Sequence, residues 1–142
     1  MRLIKEIYQS AKAAVRVGDD FGEWFKQETG VRQGDPLSPT IFSIYLERVM
    51  HDIQLRMGGI AIHGRNINNL RYADDIDLME TDERRLQENV NNINTEGTRA
   101  GLKINIRKSK VMVMGTDEID INIMVNGQDL KAWKNLNILE AR

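Results

Sequence analysis

Tyr72, Ala73, Asp74 and Asp75 are the residues of this chain whose types and spacing can do chemistry. Leu70 precedes them, and Ile76 and Leu78 follow, with no Gly or Pro in between. That pattern predicts two short strands meeting at a tight turn with the carboxylates at its tip. Adjacent carboxylates repel, and a divalent cation relieves the repulsion. Mg²⁺ takes hard oxygen ligands and is commonly held by one or two carboxylates plus substrate phosphates. Asp74 and Asp75 are therefore candidate ligands for Mg²⁺ or Mn²⁺, and the chemistry is metal-assisted phosphoryl or nucleotidyl transfer. The bland reading is a solvated acidic turn. The apolar frame of Leu70, Tyr72, Ile76 and Leu78 weighs against it.

The elements that must position this pair belong to one domain's worth of chain. A length of 142 residues is enough for a sizeable core, and 41% hydrophobic with 29% charged residues is ordinary globular composition. Twenty basic and 21 acidic residues leave a net charge of −1, which is not the basic balance of a typical nucleic-acid binder. The charge is uneven, however. Residues 72–83 hold six acids and no base, and residues 99–110 hold five bases and no acid. This can set a metal site beside a phosphate-binding surface. Equally, neighbouring elements can pair their opposite charges. Without cysteine there is no disulfide framework and no Cys-type zinc site. His51 and His63 lack ligand spacing. No leader peptide and no membrane-length apolar run is legible, so the expected location is cytosolic or nuclear by default.

Helical spacing of Leu3, Ile4, Ile7, Tyr8 and Ala11 predicts a helix over about residues 2–11. Ala13, Val15 and Val17 alternate as a strand, residues 18–22 turn, and residues 23–28 return as a second strand. Asp19 and Asp20 read as a solvated pair in that turn. Ser38 as N-cap and Pro39 at the first helical position open a helix whose stripe is Ile41, Phe42, Tyr45, Leu46, Val49, Met50, Ile53 and Met57. Gly58 and Gly59 end it. Ile60 and Ile62 suggest a strand, and residues 66–69 a turn. Thr81 is the expected cap of a third helix with Leu86, Val90 and Ile93 inward, closed by Gly97 and Gly101. Leu102, Ile104 and Ile106 alternate, as do Val111 and Val113, and then Ile119, Ile121, Ile123 and Val125 up to the Asn126-Gly127 hairpin signal. Helices mixed with antiparallel hairpins give an α+β class.

Three segments together resemble the palm of reverse transcriptases, nearest to those of non-LTR (LINE-type) retrotransposons. Gly30-Val-Arg-Gln-Gly-Asp-Pro-Leu-Ser-Pro39 is similar to their B motif, Tyr72 to Asp75 to the C motif, and Gly101-Leu-Lys-Ile-Asn-Ile-Arg-Lys-Ser-Lys110 to the D motif. Residues 126–136 resemble the hairpin that leads to the E motif. Ser10 to Gly18, with Trp24 and Phe25, are similar to the stretch before the B motif. The resemblance covers nearly the whole chain. It implies a palm-like antiparallel sheet with helices packed on one face, incomplete in this chain. Residues 1–142 would be the part of the domain that follows the A motif, without fingers and thumb.

The activity implied is RNA-directed DNA polymerisation, with RNA template, DNA primer and dNTP as partners of the intact enzyme, Mg²⁺ as cofactor and no membrane. Asp74 would be the bridging ligand of a two-metal centre and Asp75 the supporting one. Tyr72 and Ala73 would touch the primer end or nucleotide, though a core tyrosine is nearly as good a reading of Tyr72. Gln33 and Gly34 would lie against template and incoming nucleotide, or simply make a tight loop before a helix. Lys108 would sit at the nucleotide phosphates as a cation or proton donor, or be a surface lysine on a strand. Lys103, Arg107 and Lys110 would contact nucleic-acid phosphates.

The chain also departs from the pattern. The family's third carboxylate lies on an A motif, and nothing in residues 1–30 supplies it: Glu6 falls in a helix and Asp19 and Asp20 in a turn. Trp133, Asn135 and Asn137 stand where the family tends to have an aromatic-x-Tyr-Leu-Gly pattern. Whether the chain is itself an enzyme is therefore open. The alternative to a polymerase segment is a non-catalytic retroelement remnant or a domesticated nucleic-acid-binding module.

Overall fold

A computed structural model describes residues 2–115 and 121–133. The chain forms two compact units, Met1–Phe42 and Ser43–Arg142. The α+β class holds in both.

The first unit opens with α1 (Arg2–Gln9) and continues through β1 (Lys12–Ala13), β2 (Arg16–Val17), β3 (Asp20–Phe21) and β4 (Phe25–Lys26). β1 pairs antiparallel with β4, and β2 with β3. The turn is thus tighter than residues 18–22, because Val17 and Asp20 already face each other across Gly18 and Asp19. Arg16 pairs with Asp19 at 3.2 Å and lies over the Phe21 ring, which stacks on Trp24 at 6.3 Å. Asp19 is therefore partly neutralised.

Helix α2 (Ser38–Gln54) starts differently from its sequence signal. Ser38 is buried and its hydroxyl shares a hydrogen bond with the Tyr8 hydroxyl at 2.9 Å, so it does not cap. Asp35 instead accepts the Leu37 N–H at 2.9 Å, and Leu37 O accepts the first helical bond, from Ile41 N. A buried hydroxyl needs its own partner, and an Asx turn can replace the cap. Leu46, Met50, Ile53 and Met57 are the buried members of the stripe. The helix itself stops at Gln54, and residues 55–57 follow in single turns to Ile53 O and Gln54 O.

In the second unit β5 (Ile60–Ile62) and β6 (Arg65–Ile67) form one hairpin, and β7 (Asn69–Tyr72) and β8 (Asp75–Leu78) the next. The expected turn at residues 66–69 narrows to Asn68, because β6 pairs through Ile67. Helix α3 (Glu83–Arg99) is capped by Asp82, not Thr81: the Asp82 carboxylate accepts the Arg85 N–H at 2.9 Å. A carboxylate at that end also suits the helix dipole. Gly97 lies within this helix, and the chain leaves it after Ala100.

Residues 102–105 then run without a partner strand into a turn over residues 106–108, with Leu102, Ile104 and Ile106 half-buried and the residues between them exposed. β9 (Lys110–Val111) follows, then β10 (Met124–Val125), β11 (Gln128–Asp129) and β12 (Lys131–Ala132). β10 and β11 form the hairpin signalled by Asn126-Gly127, both residues at positive φ. β12 pairs with β9 in parallel, a departure from an all-antiparallel arrangement. The described strands form six separate two-stranded ladders rather than one sheet. At two to four residues each, they offer little edge for further pairing. Ile119 and residues 134–137 lie outside the described residues.

Isolated ladders are marginal, so packing on helices must hold these in place. Val90 of α3 shares a core with Val111, Ile123 and Val125. Leu78, Leu86, Ile104, Ile106, Ile121 and Leu130 pack around it. Burial of each of the largest contributes roughly 1.5–3 kcal/mol. A polar row on α3 adds direction. Gln87 both accepts from Met124 N at 2.7 Å and donates to Met124 O at 2.8 Å. Glu83 accepts the Asn122 N–H, and Asn94 donates to the Asn126 side chain. No described helix is long and apolar enough to cross a membrane.

Gly59 is required by a close approach. Its φ is +120°, and a Cβ there would lie 2.6 Å from Ile67 O and 2.8 Å from Asn68 Cα. Gly59→Ala should lower stability by about 2 kcal/mol or more, because strain adds to a backbone clash. Gly64→Ala should cost only about 1 kcal/mol, since φ is +77° but the space is open. Urea midpoints of the two variants check the difference.

Candidate functional site

The acidic hairpin has a defined register. Asn69 pairs with Leu78, Leu70 with Asp77, Arg71 with Ile76 and Tyr72 with Asp75. Ala73 and Asp74 are the two loop residues, so Asp74 sits at the tip and Asp75 opens the return strand. Ala73 adopts φ 53°, whereas Asp74 does not have positive φ. A two-residue hairpin favours positive φ at its first position, and glycine usually supplies it. An L-alanine there carries strain that the surroundings must hold.

The two faces of the hairpin differ from the frame expected of the sequence. Asn69, Arg71, Ile76 and Leu78 are half-buried. Leu70 and Tyr72 lie on the other face, with Asp75 and Asp77. Tyr72 is 84% exposed, which overturns its reading as a core tyrosine. The two-residue loop switches the phase of the alternation, so the apolar residues of the two strands do not share a face.

Asp74, Asp75 and Asp77 are exposed, and their carboxylates have no hydrogen bond or ion pair within the described structure. Two hard-oxygen donors thus stand side by side, open to solvent. Among the described residues no group of three or more His, Cys, Asp or Glu side chains could hold a metal ion.

Residues without an obvious chemical signal hold this hairpin. Arg71 pairs with Glu47 of α2 at 2.9 Å and donates to the Gln54 side chain at 3.2 Å. Asn68 donates to Gln54 O, and Met79 N donates to Asn68 O. Beyond β8, Asn89 of α3 donates to Glu80 at 2.7 Å. The sequence carried no signal for Arg71, because local spacing does not say which face of its strand turns inward. The contacts between the hairpin and this side of α2 are thus a polar clamp.

Gln33 and Gly34 lie in the first unit, exposed, in a turn before α2. Gly34 has φ 84° with nothing near the position of a Cβ, so its requirement is conformational rather than spatial. The basic segment follows a turn started by Asn105, whose backbone oxygen accepts from both Lys108 N and Ser109 N. Lys108 therefore sits on a turn and not on a strand. Lys103, Arg107, Lys108 and Lys110 are all exposed and make no ion pair within the described structure. Of the basic stretch only Arg99 is paired, with Glu96. The reading in which the acidic and basic stretches neutralise each other is not what the chain does. Leu78 of the hairpin and Ile104 and Ile106 of the basic segment pack on the same core, which ties the two stretches to one scaffold.

An open cleft of about 430 Å³ lies elsewhere in the second unit, with Tyr45, Arg48, Asp52, Arg56, Glu96 and Arg99 among its lining residues. Tyr45 donates to Ala100 O at 2.6 Å there. A hydrogen bond from His51, helped by Arg48 and Arg56, holds the Asp52 carboxyl below the usual carboxylate range. The cleft contains none of the candidate site residues drawn from the motifs.

Residues 1–136 match the family described as reverse transcriptase (RNA-dependent DNA polymerase). The chain is also 29% identical, over 108 residues, to the retrovirus-related Pol polyprotein from type-1 retrotransposable element R2 of Nasonia vitripennis. That alignment covers 76% of this chain and 10% of the polyprotein, so the chain spans about a tenth of the length of that relative. With the match running through every described residue, the chain belongs to the reverse transcriptase (RNA-dependent DNA polymerase) family.

Proposed function

We propose that this chain is the part of an RNA-directed DNA polymerase palm that presents metal-binding carboxylates to a primer end and an incoming dNTP. The observation that carries this reading is the pair Asp74 and Asp75, exposed and unpartnered at the tip of a register-defined hairpin. Their donor chemistry fits Mg²⁺, or Mn²⁺ in its place, as a partial site that leaves most of the coordination sphere to water and phosphate. When bound, the cation activates the primer hydroxyl and neutralises the leaving pyrophosphate.

The chain's own residues supply placement and charge. Asp74 and Asp75 fix where positive charge collects. Tyr72 and Ala73 offer an exposed ring and a close backbone beside them, suited to the primer end or a base. Gln33 supplies donor and acceptor, and Gly34 the turn, for template and nucleotide. Lys108 stands free as a cation for the nucleotide phosphates. Lys103, Arg107 and Lys110 form a phosphate-facing stretch on the scaffold that carries the hairpin. In this reading the short ladders of the second unit are parts of a palm sheet. A second reading, nucleic-acid binding without catalysis, is favoured by one observation: the described residues bring no third carboxylate to the pair.

Paramagnetic Mn²⁺ should broaden backbone signals centred on residues 73–76, with a dissociation constant on the order of 10⁻³ M. Asp74→Asn or Asp75→Asn should remove most of that effect. Broadening centred on Asp19 and Asp20 would refute the assignment, and the Arg16 pairing already weakens that site.

Binding to a primer–template duplex should be weak and strongly salt-dependent, because phosphate contacts release counterions. Replacing Lys103, Arg107 and Lys110 together by Gln should reduce the slope of log K against log salt by about 2–3. An unchanged slope would remove this stretch from the interface.

The purified 142-residue chain should give no primer extension on an RNA template. Loss of one preorganised electrostatic contact commonly costs on the order of 10²–10³ in rate. Extension that disappears with Asp74→Asn would show that a third ligand comes from elsewhere in the chain.

A further inference from the structure

We propose that Arg71 is a positioning residue for the acidic tip, fixing the hairpin's register and its strained turn by clamping β7 to α2. The inference rests on the reading of Asp74 and Asp75 as metal ligands. It concerns a residue whose guanidinium is bound to α2 and not to the acids.

Three observations carry it. First, burial specifies the register of this ladder weakly. Neither β7 nor β8 contains a fully buried residue, Leu70 and Tyr72 are exposed, and a one-residue slip would exchange the two faces. Second, the turn is not self-sufficient. Ala73 holds φ 53° without being glycine, a conformation that persists only where neighbouring structure over-determines it. Third, Arg71 is the charged side chain of the ladder that is anchored outside it. It is only 21% exposed and reaches two acceptors a helical stretch apart, Glu47 and Gln54. One guanidinium nitrogen, Nη2, makes both contacts, an ion pair to Glu47 and a hydrogen bond to Gln54, at the far end of a long side chain laid against α2. Arg71 immediately precedes Tyr72, so this anchor sits one residue from the Tyr72–Asp75 pair that closes the loop. Asn68, bonded to Gln54 O, anchors the entry of the same strand. The tip is thus held at its root by polar contacts to one helix.

The test uses the full chain and two independent readouts. Cross-strand NOEs between residues 72 and 75 report the register directly, without metal. Mn²⁺ titration of the residue 73–76 signals reports the presentation of the carboxylates. The variants are Arg71→Lys and Arg71→Met, with Ala11→Gly, at a buried position of the first unit, as a control that destabilises the protein without touching the hairpin or its clamp.

Electrostatics and positioning predict opposite signs. Deleting a positive charge near carboxylates should tighten cation binding by itself. If Arg71 positions the tip, Arg71→Met should instead weaken Mn²⁺ binding about fivefold, as the fraction of competent hairpin falls. The NOEs should weaken with it. Arg71→Lys keeps the charge but ends short of the Nη2 position that meets Glu47 and Gln54, and should fall between Arg71→Met and the parent. Ala11→Gly should lower the melting temperature and leave both readouts unchanged well below it.

Intact NOEs with unchanged or tighter Mn²⁺ binding in Arg71→Met would overturn the inference. Should Arg71→Met fail to fold, Arg71→Lys decides by the same two readouts. Absence of Mn²⁺ broadening in the parent chain would sink the metal reading alone, and the NOEs would still decide whether Arg71 sets the register.

Discussion

Two like charges on adjacent residues, one in a two-residue loop and one opening the return strand, set the constraint on which the rest of this unit depends. Carboxylate repulsion and an alanine at positive φ both oppose the turn. Neither is relieved locally, because Asp74 and Asp75 have no partner in the described structure. The compensating interactions lie on the other face of the hairpin and at its root. There Arg71 reaches α2, Asn68 reaches Gln54 O, and Leu78 enters the core around Val90. A cost at a functional tip offset by contacts elsewhere is the usual arrangement where strain serves presentation.

The same scaffold explains how opposite charge stretches coexist without neutralising each other. Helix α3 lies between them in sequence, and its apolar residues gather Leu78 from the acidic side and Ile104 and Ile106 from the basic side. Alternation then points Lys103 and Arg107 away from that core. Burial of the odd or even set thus decides the exposure of the other. The charges remain solvated and available because the apolar residues beside them are committed.

The ladders are short, and most would be marginal alone. The polar side chains of α3 do for the β10–β11 hairpin what Arg71 of β7 does for its own. Gln87 pairs with both backbone groups of Met124 in the manner of a strand neighbour. This use of side-chain amides and one guanidinium to dock hairpins keeps the strands in place without a continuous sheet. It also makes the positions of the hairpins sensitive to single polar substitutions on the helices.

The sequence by itself determined the parts that depend on local spacing. Tyr72 to Asp75 specified a tight acidic turn, Asn126-Gly127 specified a hairpin, and the stripe of α2 with Leu86 and Val90 of α3 specified helices with an apolar side. The α+β class and the family likeness follow from the same short-range patterns. Other features were decided only in three dimensions. Ser38 lost its capping role because its hydroxyl is buried against Tyr8, a contact thirty residues away in the chain. Thr81 yielded to Asp82, whose carboxylate reaches the free Arg85 N–H. Tyr72 became exposed because a two-residue loop shifts the phase of alternation between paired strands, so apolar spacing alone could not say which face is inward. The clamp of Arg71 to Glu47 and Gln54 was invisible for the same reason. Periodicity reports which residues share a face, but the partner of a face is set by long-range packing that a local pattern does not encode.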